Sequence, residues 1–115
     1  MITYIIHKIE DDTVVGKIVK HSDGKYTSEC LVDDNDGDYP VLLFGFNKEL
    51  PRDDSEHIKY WLEERVVPKT RQGLDMILAS VGMDHWDFEK LLELNHGRCS
   101  IDSYYLEIIN ENIQG

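Results

Sequence analysis

The sequence holds little that is typical of a secreted, membrane-embedded or redox protein. Its 115 residues include only two cysteines, Cys30 and Cys99, and these form no CxxC pair. The opening "MITYIIHKIEDD" has no basic region of the kind that begins a signal peptide. No stretch approaches the roughly 18 apolar residues that a membrane helix needs. These absences predict a soluble, cytoplasmic protein without a membrane segment.

Basic residues are also scarce, with 12 Lys and Arg against 23 Asp and Glu, which gives a net charge of −11. Such a surface repels phosphates, so direct nucleic acid binding is disfavoured. The length and the 41% hydrophobic content predict one folded domain over residues 1–115. The excess charge either keeps the protein soluble or faces a basic partner, and the sequence leaves both interpretations open.

The first part of the chain, residues 1–47, has the pattern of antiparallel strands. Apolar residues alternate in "ITYIIHKI" and "TVVGKIVK", which predicts a hairpin from about Ile2 to Lys20. Further strands are predicted in "YTSECLV" and "YPVLLFGF". The acidic stretch "DDNDGDYP", Asp33 to Pro40, is interpreted as the turn between them.

Residues 54–97 change to helical spacing. The first predicted helix is capped by Asp54 or Ser55 and ends before Pro68, which then begins a second helix. The second helix stops near Gly82, and a third runs from Asp84 to Gly97. Apolar positions of the first helix fall on one face: Ile58, Trp61, Leu62 and Val66.

A closing strand is predicted at about 101–109, where "SIDSYYLEII" is rich in β-branched and aromatic residues. The predicted order is therefore ββββαααβ. Neither a small sheet nor three short helices can bury an apolar face alone. The expected fold is α+β, with an N-terminal meander and a C-terminal strand packed by three short helices.

The acidic stretch does not fit a calcium loop. Placing Gly37 at position six puts Asp34 and Asp36 at positions three and five, but Val32 and Leu43 then stand at positions one and twelve. Those two positions need an acidic ligand and a bidentate glutamate. The stretch is therefore interpreted as a solvated turn.

Catalytic and metal-binding motifs are missing from the sequence. The scattered histidines and the two cysteines lack the short paired spacings of a zinc site. No nucleophile elbow, P-loop or dinucleotide fingerprint occurs, so neither an enzyme nor a cofactor is expected. The segment 58–81 could be a helix-turn-helix, but its second helix offers base edges only Lys69, Arg71 and Gln72, and the net charge opposes DNA binding.

The run "YWLEERVVPKTRQGLDMILASVGMDHWDFEKLLELNHGRCSIDSYYLEI", within residues 60–107, resembles the segment ahead of the kinase domain in some HipA-like proteins of Firmicutes. The shared pattern is a Trp-Leu helix, Arg-x-x-Pro-x-x-Arg-x-Gly-Leu, leucine-rich helices ended by glycines, and a Ser-x-x-Asp-x-Tyr segment. The matching positions are Trp61, Leu62, Arg65, Pro68, Arg71, Gly73, Leu74, Leu78, Gly82, Leu91, Leu92, Gly97, Ser100, Asp102, Tyr104 and Tyr105.

No kinase lobe follows the motif here, so the resemblance implies a stand-alone accessory module that binds a protein such as a HipA-like kinase. The motif also has a structural interpretation. Arg65 or Arg71 could cap helix carbonyls or pair with Asp102, since bidentate arginine–carboxylate pairs are common framework devices. This structural interpretation is preferred, and Arg71→Ala is then expected to lower the thermal midpoint.

Two functions are expected from these observations. The first is a non-enzymatic regulatory or inhibitory module of a bacterial or mobile-element system. The alternative is a nucleic-acid mimic, such as an anti-CRISPR protein that acts on a basic Cas effector. The oligomeric state stays open. Candidate partner-binding residues are the two acidic clusters: Asp33, Asp34, Asp36, Asp38, Asp53, Asp54 and Glu56.

Overall fold

A computed structural model of the chain describes residues 1–33 and 38–111. In these residues a four-stranded antiparallel sheet packs with short helices, which confirms the α+β class. No helix in the described ranges is long and apolar enough to cross a bilayer. The elements are β1 (Ile2–Lys8), β2 (Val14–Lys20), β3 (Tyr26–Cys30), α1 (Val41–Phe44), a 3₁₀ turn (Phe46–Lys48), α2 (Ser55–Glu63), α3 (Leu74–Ser80), α4 (Phe88–Asn95) and β4 (Tyr104–Asn110).

The sheet has the strand order β3-β2-β1-β4. The predicted hairpin is confirmed, with Ile2 opposite Lys20, and the C-terminal strand joins β1 with Ile2 opposite Asn110. Alternate side chains of these strands therefore share one face, and that face packs against the helices. The strands contribute these residues to the core: Tyr4, Ile6, Val15, Ile18, Tyr26 and Leu106.

The predicted strand in "YPVLLFGF" is wrong, because Val41–Phe44 forms the helix α1. The Pro40 carbonyl accepts hydrogen bonds from the amides of Leu43 and Phe44, and both of these side chains are buried. The outer edge of β3 is also occupied. There the Ser28 amide donates to the Arg52 carbonyl at 2.8 Å, which leaves no edge for a fourth strand of the meander.

Two helix starts also differ from the prediction. The chain does not re-enter a helix at Pro68, because Gly73 adopts a left-handed φ of 76° and α3 begins only at Leu74. The third helix begins after Asp87 rather than Asp84, since the Asp87 carboxylate accepts the amides of Glu89 and Lys90. The cap of α2 by Asp54 and its buried apolar face are confirmed.

On the opposite face of the sheet, His7 joins β1 to the hairpin turn and to β4. Its Nδ1 lies 2.8 Å from the Asp12 carbonyl oxygen, and its Nε2 lies 2.9 Å from Glu107 Oε1. The ring also stacks on Tyr105 at 4.9 Å. Both neighbours of the ring nitrogens are acceptors, so only the imidazolium can donate to both. This arrangement favours the charged form of His7.

The stabilisation that His7 provides is expected to depend on pH. Burial, the largest influence, lowers the pKa of His7, but the hydrogen bonds to Asp12 and Glu107 outweigh it and raise the pKa above its ordinary value. Stability from this group is therefore complete below about pH 6.5 and is lost as the pH rises through the folded pKa. Urea unfolding should show a larger loss for His7→Gln at about pH 5.5 than at about pH 8.5.

A matched control is His85→Gln, which removes an exposed imidazole whose one ion-pair partner among the described residues is its neighbour Asp84. Exposed pairs of this kind contribute little to stability, so this variant should unfold like the parent protein at both pH values. A loss for His7→Gln that is the same at both pH values would contradict the assignment.

Candidate functional site

The centre of the site is the guanidinium of Arg65, which follows the C-terminal end of α2 and is only 3% exposed. Its Nη1 and Nη2 donate to the two carboxylate oxygens of Asp102 at 2.6 and 2.9 Å. This is a bidentate pair, the strong form of an arginine–carboxylate contact. Arg65, rather than Arg71, is therefore the partner of Asp102.

The remaining donors of Arg65 join three elements. Its Nε donates to the Gly97 carbonyl after α4, and Nη2 also donates to the Tyr104 carbonyl at the start of β4 at 2.9 Å. The guanidinium lies over the Trp61 ring, 4.5 Å from its centroid. The side-chain Nδ2 of Asn95 in turn donates to the Arg65 carbonyl at 2.9 Å. We call these residues the arginine cluster, and they fix the ends of α2 and α4 against β4.

The other motif residues lie away from this cluster, in the connection between α2 and α3. Pro68 and Arg71 are exposed, and the Pro68 carbonyl accepts the Arg71 amide at 3.0 Å. Within the described residues the Arg71 side chain makes no hydrogen bond or ion pair. Gly73 provides the left-handed turn before α3. Arg65 is therefore the arginine that pairs with Asp102 and binds a helix-end carbonyl. Arg71→Ala is accordingly expected to leave the thermal midpoint unchanged.

Next to the arginine cluster lies an open groove of about 320 Å³, which we call the α2 groove. Three apolar or aromatic side chains at its rim are unusually exposed: Leu42 at 70%, Tyr60 at 62% and Ile101 at 67%. Single exposed apolar residues are ordinary, but a group of them around one concavity makes this groove the candidate binding surface. The full lining is Leu42, His57, Tyr60, Trp61, Glu64, Arg65, Ile101 and Asp102.

The polar groups of the α2 groove include one without a hydrogen-bond partner. The Nε2 atom of His57 is buried and makes no hydrogen bond within the part of the chain that the structure describes. Glu64 also lines the groove and raises the pKa of the Tyr60 hydroxyl by hydrogen bonding and charge. The Asp102 carboxylate is already held by Arg65. These groups can recognise a donor or a cation.

The first predicted acidic cluster is described only in part, because Asp34 and Asp36 lie outside the described residues. Asp33 is exposed. The Asp38 carboxylate is exposed too, but lies 3.5 Å from Lys8 Nζ at the end of β1. Part of the charge of this cluster is therefore balanced within the chain.

The second predicted acidic cluster stands at the start of α2. Asp54 serves as the helix cap and accepts the His57 amide at 3.2 Å, so it has a structural role. Lys59 is the only lysine or arginine between Ser55 and Glu64. Carboxylates at both ends of the helix form no ion pair with any described residue: Asp53, Glu56, Glu63 and Glu64.

The sequence did not indicate the α2 groove. The apolar runs predict strands at Leu42 and Ile101, whereas Leu42 lies in α1 and Ile101 precedes β4, and His57 has no spacing that marks a ligand. Leu42 and Ile101 are exposed and the Nε2 atom of His57 is buried. These properties follow from tertiary packing, so a local sequence pattern does not predict them. Only Trp61, Arg65 and Asp102 of the lining were singled out, as parts of the resemblance.

Across residues 1–33 and 38–111, no group of three His, Cys, Asp or Glu side chains is arranged to hold a metal ion. Comparison with known proteins adds no family to these observations, because no protein-family model, curated protein or solved structure matches this chain.

Proposed function

We propose that this chain is a non-enzymatic protein-binding module of a bacterial or mobile-element system. It regulates or inhibits its partner in the bacterial cytoplasm. The observation that carries the proposal is the α2 groove, where Leu42, Tyr60 and Ile101 are exposed around one concavity. Protein interfaces are built from such apolar and aromatic centres with a polar rim. Glu64, which forms no ion pair with any described residue, supplies an acidic group at the rim.

A basic protein is the partner that this rim suits best. Opposite charges speed association and select the partner, and the net charge of −11 repels acidic competitors. The resemblance of residues 60–107 supports a HipA-like kinase as that partner. In this proposal the arginine cluster holds the floor of the groove, so Arg65 and Asp102 act as framework and not as contact residues.

The second candidate is a nucleic-acid mimic that inhibits a basic effector such as a Cas protein. The carboxylates Asp53, Glu56, Glu63 and Glu64 favour it, because they are not neutralised by described residues and could occupy a groove built for phosphates. The internal uses of Asp38 and Asp54 reduce the charge available to a mimic.

The proposal is tested with the double variant Leu42→Ser/Ile101→Ser, which removes apolar groove contacts at exposed positions. Folding should change by no more than about 0.5 kcal/mol, as is usual for surface substitutions. Affinity for a purified HipA-like kinase or for a Cas effector, measured by calorimetry, should fall at least about tenfold, which corresponds to about 1.4 kcal/mol. Met76→Ser is the matched control, because Met76 is exposed on α3 outside the groove.

The same assay separates the two candidates. Asp53→Asn/Glu56→Gln should abolish binding only if the chain mimics nucleic acid, and DNA should then compete with it in a salt-dependent manner. If a partner binds the Leu42→Ser/Ile101→Ser variant as tightly as the parent protein, the α2 groove is not the binding surface.

A further inference from the structure

We propose that the α2 groove takes a tryptophan side chain that stands next to an arginine on a segment of the partner protein. This inference rests on the proposed protein-binding function and specifies the chemistry of the partner. The groove volume of about 320 Å³ matches the lower end of typical ligand pockets, which suits one large side chain rather than an extended ligand.

The apolar wall of the groove fits an aromatic ring. Leu42 and Ile101 face the concavity with most of their surface uncovered, and the Tyr60 ring stands beside them. Aromatic residues bury about 150–250 Å² each and gain further from offset or edge-to-face contact with another ring. Tryptophan and arginine are also the residues that most often carry the binding energy of an interface.

The buried Nε2 of His57 distinguishes tryptophan from phenylalanine. An unpaired buried nitrogen costs free energy, and an indole N–H is a donor that could satisfy it. Because Nε2 is buried in the free protein, an indole can reach it only after lining side chains such as Tyr60 and Leu42 shift. Both side chains are mostly exposed, so little packing opposes that shift.

The Glu64 carboxylate in the groove lining fits the neighbouring arginine. Glu64 lines the groove and forms no ion pair among the described residues, while Tyr60 offers an exposed ring face beside it. A guanidinium can stack on the ring and pair with the carboxylate at once. Lys59 is the only basic side chain of α2, so the helix offers the arginine little competition.

The test uses the amidated dipeptide Ac-Arg-Trp-NH₂ as the probe, with Ac-Glu-Trp-NH₂ and Ac-Arg-Ala-NH₂ as matched controls. Each is titrated into ¹⁵N-labelled full-length chain and followed by amide chemical shifts. The Arg-Trp probe should shift the amides of Leu42, His57, Tyr60, Glu64 and Ile101 in a saturable manner. It should bind about tenfold more tightly than either control, a difference of about 1.4 kcal/mol.

Variants of the chain identify the contacts. Glu64→Gln should remove most of the difference in affinity between Ac-Arg-Trp-NH₂ and Ac-Glu-Trp-NH₂. Met76→Ser should leave all three titrations unchanged. Equal shifts with the three dipeptides, or shifts outside the groove, would overturn the inference. Amides of the groove that shift with protein concentration alone would also overturn it, because the occupant would then be a second copy of the chain.

The two proposals can fail separately. If a protein partner loses affinity for Leu42→Ser/Ile101→Ser while the Arg-Trp probe does not bind, the protein-binding function stands and the tryptophan–arginine inference falls. If the partner binds the Leu42→Ser/Ile101→Ser variant as tightly as the parent protein, the proposed function fails, whether or not the dipeptides bind.

Discussion

Replacing Arg65 with alanine is expected to lower the free energy of unfolding by about 3 kcal/mol or more. The substitution leaves the Asp102 carboxylate, only 22% exposed, without its bidentate partner. It also leaves the carbonyls of Gly97 and Tyr104 without the donors that Arg65 supplies. Urea unfolding followed by circular dichroism measures the loss.

Arg71→Ala is the matched control, because it removes the same side chain from an exposed loop position of the same motif. Its expected effect is within about 0.5 kcal/mol. A second comparison is Arg65→Met/Asp102→Leu, which should be more stable than Arg65→Ala because no buried charge is left alone. Similar midpoints for Arg65→Ala and Arg71→Ala would contradict the framework role of the arginine cluster.

Gly97→Ala is expected to cost about 3 kcal/mol. A β-carbon at this position would lie 2.3 Å from Leu106 Cγ and 2.7 Å from Leu106 Cβ. Leu106 cannot move away easily, because it is fully buried and its amide donates to the His96 carbonyl at 2.7 Å. The left-handed φ of 67° adds about 1–2 kcal/mol for an alanine, and overpacking adds about 1–3 kcal/mol.

Gly24→Ala separates these two contributions. Gly24 has a comparable φ of 87°, but a β-carbon there meets no atom within 4 Å. Its loss should therefore reflect the backbone alone, at about 1 kcal/mol. If thermal unfolding gave Gly97→Ala and Gly24→Ala the same loss, the close packing of Gly97 against β4 would be wrong.

The parts of the fold that the sequence predicted are those set by local periodicity. The hairpin from Ile2 to Lys20 follows strict alternation around turn residues, and α2 follows helical spacing after its cap at Asp54. The strand predicted in "YPVLLFGF" failed because a short apolar run suits a buried strand and a buried helix equally well. Two features of the folded chain favour the helix: the Pro40 carbonyl accepts the amides of Leu43 and Phe44, and the edge of β3 is already occupied.

Only those residues of the candidate site that belong to the motif could be predicted from the sequence. Arg65 and Arg71 stood on either side of the same break in the sequence, and nothing local favoured one of them as the partner of Asp102. The fold decides it, because Arg65 follows α2 directly and faces the ends of α4 and β4, whereas Arg71 lies on the exposed loop.

The sequence by itself determined the α+β class, the acidic charge and the elements whose apolar pattern repeats with a clear period. Only the tertiary structure brought Leu42, Tyr60 and Ile101 together around one groove and paired Asp38 with Lys8. The physical reason is that the spacing of apolar residues shows only which face of a helix or strand is buried. A binding surface depends on which exposed side chains of distant elements come together after those faces have packed.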